Sequence, residues 1–251
     1  MTTSTTTTHP VPQVTFPGQA AAPPGPDDLM PMYLMHHAFR RDLGAFAAAV
    51  AGTPVADRRR WGRLGRRWAA FARVLHLHHE GEDDILWPLL LSRVDAAGDA
   101  AGRATLEAME AEHDEIDPLL AGCAAGLADL AAGADADARA ALVVRMAAAR
   151  ERLGHHLGHE ESEAMALVQL HLTPAEWEAM HPEFGRHYTT RDALFALPWV
   201  LHGVPADLRP QALAFVGTGA ALVWRLLLRV PFALRERRSF GPTAHRDTSR
   251  A

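Results

Sequence analysis

Two segments of this chain place a glutamate where a helix should present its apolar face. His78 and Glu82 stand four residues apart, and so do His156 and Glu160. Residues at that spacing share one helix face, with Cβ atoms about 6 Å apart. Leu64, Trp68, Phe71 and Leu75 lead into the first pair; Leu142, Met146, Ala149 and Leu153 lead into the second. A helix that buries either stripe must bury the glutamate with it. A buried carboxylate is costly unless it is paired or coordinated, so any fold of this chain must provide for both.

Two further segments carry a histidine on such a stripe: Met32, His36, Phe39, Leu43 and Phe46, then Leu106, Met109, His113, Ile116 and Leu120. Apolar residues at steps of three and four predict amphipathic helices. The first starts near Asp27–Asp28 and ends at Gly52–Thr53–Pro54; the second runs from about Asp57 to Val94. The third runs from about Asp99 to Ala132, with a kink expected at Pro118, and the fourth from about Asp135 to Leu172. Short connections between four long helices predict an all-α, antiparallel up-down four-helix bundle over residues 27–172. The composition agrees, since Ala, Leu and Arg dominate while strand-forming residues are sparse.

The flanks read differently. Residues 1–26 are rich in Thr and Pro, lack the charged start and apolar core of a targeting signal, and are expected to be a disordered tail. Residues 173–238 are expected to form a C-terminal helical extension. It opens on a capping box, Thr173 to Glu176 with Pro174 between, and its first helix is expected to end near His181–Pro182. Helices over about Thr190–Val200 and Asp207–Val230 follow, the last closed by Pro231, before a basic disordered tail over 239–251. The most apolar run, Ala212–Trp224, is too short to span a bilayer. Trp199, Phe215, Trp224, Leu226, Leu227 and Val230 need cover; packing on the bundle is the first expectation, a homodimer seam or a partner protein the next. A formal net charge of -5 argues against a general nucleic-acid binder. The single cysteine, Cys123, excludes a disulfide framework within the chain and fits a reducing, cytoplasmic compartment.

Six inward side chains form the candidate metal set: His36, His78, Glu82, His113, His156 and Glu160. Imidazole with carboxylate suits iron, manganese or zinc. Six ligands exceed the four of a tetrahedral zinc and suit two cations bridged by the two carboxylates. Asp117, one turn after His113, is a further candidate ligand. His79 with Asp83 is an off-register alternative, expected to be less buried because its stripe runs through Arg73 and His76. His37, His76, His79, His155 and His159 flank these residues; some are expected to orient carboxylates and more to lie in solvent, while His171, His181, His187 and His202 are expected outside any metal role. A ferritin-like arrangement would use the Glu-x-x-His pairs Glu110–His113 and Glu178–His181. The inward glutamates, however, are already matched to histidines four residues before them.

The segments Met35–Leu43 (MHHAFRRDL), His78–Leu90 (HHEGEDDILWPLL), Glu112–Leu120 (EHDEIDPLL) and His155–Glu161 (HHLGHEE) resemble the hemerythrin-like, or HHE cation-binding, domain family over about residues 28–172. The resemblance implies a four-helix bundle with two non-haem iron ions bridged by oxygen or hydroxide. It puts the helix-one ligand at His36, in register with Arg40, and the others at His78, Glu82, His113, His156 and Glu160. Members bind dioxygen, sense oxygen, redox state or iron, or handle peroxide and nitric oxide. The chain departs from the dioxygen carriers in having Asp117 where they have a second helix-three histidine. Its helix-four carboxylate is a Glu four residues after the histidine rather than an Asp five after. These departures turn the expectation from carriage to binding or sensing dioxygen, nitric oxide or redox state. The alternatives are an oxidoreductase that removes peroxide or nitric oxide, and an iron-storage or structural metal site.

Overall fold

The computed structural model describes residues 10–241; the outer parts of the two expected tails, 1–9 and 242–251, lie outside the described residues. Among the described residues there is no strand. Four long helical rods come first. Helix α1 spans Met30–Gly52, and α2 spans Arg58–Gly81. The chain continues from α2 through one wide π-turn, Glu82–Leu86, into α3, Trp87–Ala97. Helix α4 runs Ala100–Ala132 and α5 Ala136–His159, followed by a second π-turn, Glu160–Ala164, and α6, Met165–His171. The rod starts follow the sequence signals, because the carboxylates of Asp57, Asp99 and Asp135 each accept a hydrogen bond from a first-turn backbone N–H.

The rods pack side by side, α1 against α5, α2 against α4, and α4 against α5. Their stripes interlock as expected: Phe39, Phe46, Trp68, Phe71, Met109, Leu120, Met146 and Leu153 are all buried. Each π-turn opens on one of the two stripe glutamates, with Trp87 N–H bonded to the Glu82 carbonyl and Met165 N–H to the Glu160 carbonyl. Such one-residue insertions interrupt helices chiefly at functional positions, and here the same device occurs at both echoing pairs.

The extension is α7 (Pro174–Arg186), α8 (Thr190–Leu201), α9 (Arg209–Val216) and α10 (Thr218–Val223). A third π-turn, Trp224–Leu228, leads into α11, Arg229–Phe240. A buried charged cluster clamps it to the bundle. Arg67 on α2 donates to Asp42 Oδ2 on α1 at 2.5 Å and to both oxygens of Glu236 on α11 at 2.7 and 3.1 Å. Trp199 Nε1 on α8 donates to Asp42 at 2.8 Å, and Arg41 donates to the His202 carbonyl.

Four expectations are corrected. Residues 10–26 lie on the bundle instead of forming a disordered tail: Phe16 is buried and stacks on His37, and Ala20 N donates to Glu161. The glutamines supply this strap with side-chain bonds, as when Gln13 Nε2 donates to the Asp27 carbonyl and Gln169 Nε2 to the same atom. Helix α7 passes through Pro182 to Arg186. The expected helix over 207–230 breaks at Gly217, whose φ of 82° suits glycine, and Pro231 does not close a helix but lies inside α11, as its third residue after the third π-turn. Consequently Ser239 and Phe240, placed in the tail by the sequence, are helical and buried. Of the apolar residues that needed cover, Trp199 and Trp224 are buried, while Phe215, Leu226, Leu227 and Val230 are exposed. No single helix is long and apolar enough to cross a membrane.

Candidate metal centre

The two echoing pairs meet. His36, His78, Glu82 and Glu160 converge with one ligand atom each inside a 4.8 Å sphere of mutual separation, and His79, His113 and His156 converge in the same way. All seven are buried, with Glu82, Glu160, His36 and His156 at 0 % exposure. The glutamates lie between the groups. Glu82 approaches His78 Nε2 at 3.1 Å through one oxygen and His113 Nε2 at 3.6 Å through the other. Glu160 Oε2 stands 3.1 Å from His36 Nε2 and 3.9 Å from His156 Nε2.

These approaches are not hydrogen bonds. The Nε2 atoms of His36, His78 and His79 and all four carboxylate oxygens of Glu82 and Glu160 are buried without a hydrogen-bond partner among the described residues. Orphaned polar atoms in a protein interior call for an explanation, and here they point at one another.

The far side of three imidazoles accounts for the tautomer. Glu161 accepts from His36 Nδ1 at 2.9 Å, Asp83 from His113 Nδ1 at 2.9 Å, and Glu112 from His156 Nδ1 at 2.9 Å. Carboxylates behind histidines fix the ring and raise its basicity towards a cation. With Nδ1 donating outward, each Nε2 faces the centre; that of His36 carries a proton near neutral pH, which a cation would replace. His113 Nε2 and His156 Nε2 face each other at 3.2 Å, a hydrogen bond when one of them carries a proton and a repulsive contact when both present lone pairs.

Electrostatics points the same way. Burial opposes charge on His36, yet Glu160 and Glu161 outweigh it and raise its pKa to about 9. Burial and the neighbouring His36 push His78 down to about 3, and burial with His113 and His156 holds His79 well below its usual range. Burial and the charge of Glu160 hold Glu82 well above the usual carboxylate range. Burial also opposes ionisation of Glu160, but His36 and His156 outweigh it and lower its pKa to about 2. Two buried carboxylates among five buried imidazoles form a nitrogen and oxygen donor set that fits divalent iron, manganese or zinc.

A family model described as the hemerythrin HHE cation binding domain matches residues 31–168, more than half of the chain.

This chain belongs to that family.

No curated protein and no solved structure matches it. The six residues singled out from the hemerythrin-like motifs all lie in the two groups. The seventh member, His79, is a correction, as it is 4 % exposed and stacks on His113 with ring centroids 3.9 Å apart. A stripe argument assigns one buried face per helix, but the end of α2 is covered on two sides. His78 faces Phe39 and His36 of α1, while His79 faces His113 of α4 and His156 of α5. Asp117 is exposed and takes no part, and so are Glu110 and Glu178 of the ferritin-like alternative.

Two more positions at the centre, Glu161 and Glu112, were not assigned from the sequence as holders of the ligand rings. Glu161 is fully buried, and Glu112 and His37 are also buried. The signal for Glu161 was present in the hemerythrin-like His-x-x-x-Arg pattern. Arg40 grips both Glu161 oxygens, at 2.6 and 2.8 Å, one turn from the His36 that Glu161 holds. His37 turns away from the centre, and burial and Arg41 lower its pKa to about 4.

Proposed function

We propose that this hemerythrin-like domain holds two non-haem iron ions and binds or senses dioxygen, nitric oxide or redox state. In this reading His36 and His78 would hold one ion, His79, His113 and His156 the other, and Glu82 and Glu160, which lie between the two groups, would complete both ligand sets. The four rods then act as an antiparallel up-down bundle around the pair, in a cytoplasmic setting. The observation that carries the reading is the convergence of orphaned nitrogen and carboxylate atoms at the two glutamates.

When bound, such iron supplies redox chemistry and coordination positions open to a small molecule. The chain's own groups set the conditions. Glu161, Asp83 and Glu112 hold three rings with Nε2 aimed inward. Phe39 packs on the His78 ring, and Trp199 packs on Phe39 in turn. Tyr33 Oη is buried without a partner, and burial, Glu161 and Glu160 hold its proton firmly. It is a hydrogen-bond donor available to a small ligand.

Metal analysis with an optical spectrum of aerobically purified protein tests the reading. Two irons per chain with ferric charge-transfer absorption is expected; zinc alone would overturn it. The runner-up, an oxidoreductase that removes peroxide or nitric oxide, is favoured by the same unpartnered phenol. Oxygen release from added peroxide above the rate of free iron would establish it. Iron held in proportion but inert to all of these ligands would leave storage or a structural metal.

A further inference from the structure

The extension does more than cover the bundle. Helices α7, α8 and α9 border, with the start of α1, an open cavity of about 700 Å³. This volume is in the range of organic-ligand pockets. Its walls include Met32 and Met35 of α1, Met180 and Phe184 of α7, Leu197 of α8 and Phe215 of α9. Methionines and aromatic rings together make an adaptable surface that favours aromatic guests, through sulfur–ring and ring–ring contact.

Polar groups are few and well placed. His181 lies in the wall, and its Nε2 is buried without a hydrogen-bond partner among the described residues. Tyr188 adds a phenol hydroxyl to the same wall. At the inner end the wall is the ring of His78 itself, one of the residues at the candidate metal centre. Leu226 and Leu227, between α10 and α11, are exposed by contrast among the described residues.

We propose that this cavity is a binding site for an aromatic small molecule that carries one hydroxyl or carbonyl oxygen. The ring packs among the methionines and Phe184, and the oxygen pairs with His181 once a turn of that ring brings its covered, unsatisfied Nε2 to the cavity surface. The occupant touches His78, so the site lies one side chain away from the glutamates. Binding does not depend on iron being the metal, or on a metal being present.

The probe is N-phenyl-1-naphthylamine, followed by its own fluorescence and by quenching of Trp177, on the full chain as purified with metal content recorded. Saturable binding is expected, with displacement by 2-naphthol about fivefold tighter than by naphthalene, the worth of one added hydrogen bond. Ala196→Trp fills the cavity from α8 and is expected to weaken the probe at least about tenfold, the loss of roughly one and a half buried methylene equivalents or more. Ala193→Trp, on the exposed rim of the same helix, is the second blocking variant should the first fail to fold. His181→Leu is expected to remove the preference for 2-naphthol while leaving naphthalene unchanged. The proposal is overturned by absence of saturable binding, by binding that neither tryptophan affects, or by a naphthol preference that survives His181→Leu. A concentration-dependent dimer that excludes the probe overturns it as well. Each result is independent of metal content, so it leaves the di-iron reading to its own test.

Discussion

Arg40 grips both oxygens of Glu161, and Glu161 in turn holds His36 Nδ1 at 2.9 Å. The chain Arg40–Glu161–His36 fixes a ring whose other nitrogen faces Glu160 at 3.1 Å. Removing the guanidinium leaves a fully buried carboxylate to find other partners and frees the ring to turn. Arg40→Leu is expected to weaken metal binding about 10- to 100-fold, the usual cost of losing a group that orients a ligand. Chelator competition on protein of unchanged helical content measures it. Glu161→Gln should do the same, and wild-type affinity in both variants would refute the role.

His79 and Asp117 make a sharper contrast, because the sequence favours neither. His79→Ala is expected to lower metal content by at least one ion in two, since it belongs to the three-histidine group. Asp117→Ala, at an exposed position, should leave it unchanged. Metal-to-protein ratios on the purified variants decide the matter; equal loss in the two would mean that the three-histidine group is not a ligand set.

The rods, their caps and six of the seven converging residues were legible because each depends on local pattern: a period near 3.6, an Asp before the first turn, a His and Glu one turn apart. His79, Glu161 and Glu112 were not. Their burial comes from helices packing on two sides of one rod and from the strap over residues 10–26, which no periodicity announces. The strap itself was misjudged for the same reason. Its backbone is satisfied by Gln13, Gln19 and Gln169, the last of them more than a hundred residues away along the chain. Pro231 shows the limit of punctuation reading, since the rod runs on through it just after a π-turn.

Gly81 admits the extension to the centre. A Cβ on this residue would lie 2.5 Å from Phe184 Cδ1, closer than real Cβ atoms approach anything. Helix α7 can therefore pack over the first π-turn only if position 81 has no side chain. Gly81→Ala should gain helix propensity of up to about 1 kcal/mol and lose more to overpacking, about 1–3 kcal/mol. The expected net result is modest destabilisation, with faster amide exchange confined to α7. Adding Phe184→Ala should restore α7 protection in the double variant, and failure to do so would place the strain elsewhere.

Arg67 is the sole cation joining Asp42 to Glu236 among the bonds described, and it is buried with both of them. Burying an ion cluster stabilises little in itself, but breaking one leaves uncompensated charge. Arg67→Met is expected to cost about 3–5 kcal/mol in unfolding free energy and to shift Trp199 emission, since Trp199 donates to Asp42. Adding Glu236→Gln, which leaves Asp42 paired with Arg41, should recover much of the loss. Denaturant titrations of the three proteins provide the comparison, and a single variant within 1 kcal/mol of wild type, about the reach of a surface pair, would contradict it.

Asp27 gives the pH dependence, away from the metal centre. It is 1 % exposed, and neither carboxylate oxygen has a hydrogen-bond partner among the described residues. Burial, with the charge of Glu176 adding to it, pushes its pKa up from 3.8 to about 6. Between those values the folded chain binds more protons at this site than the unfolded chain, so stability falls as pH rises. The contribution is complete below about pH 4 and is lost as pH rises through about 6. Asp27→Asn cannot ionise and escapes that loss. The variant should therefore pull ahead of the parent across this window. Chemical denaturation of both proteins from pH 4 to pH 7.5 checks the sign: a difference that shrinks with rising pH would show that Asp27 is ionised and paired in the folded chain.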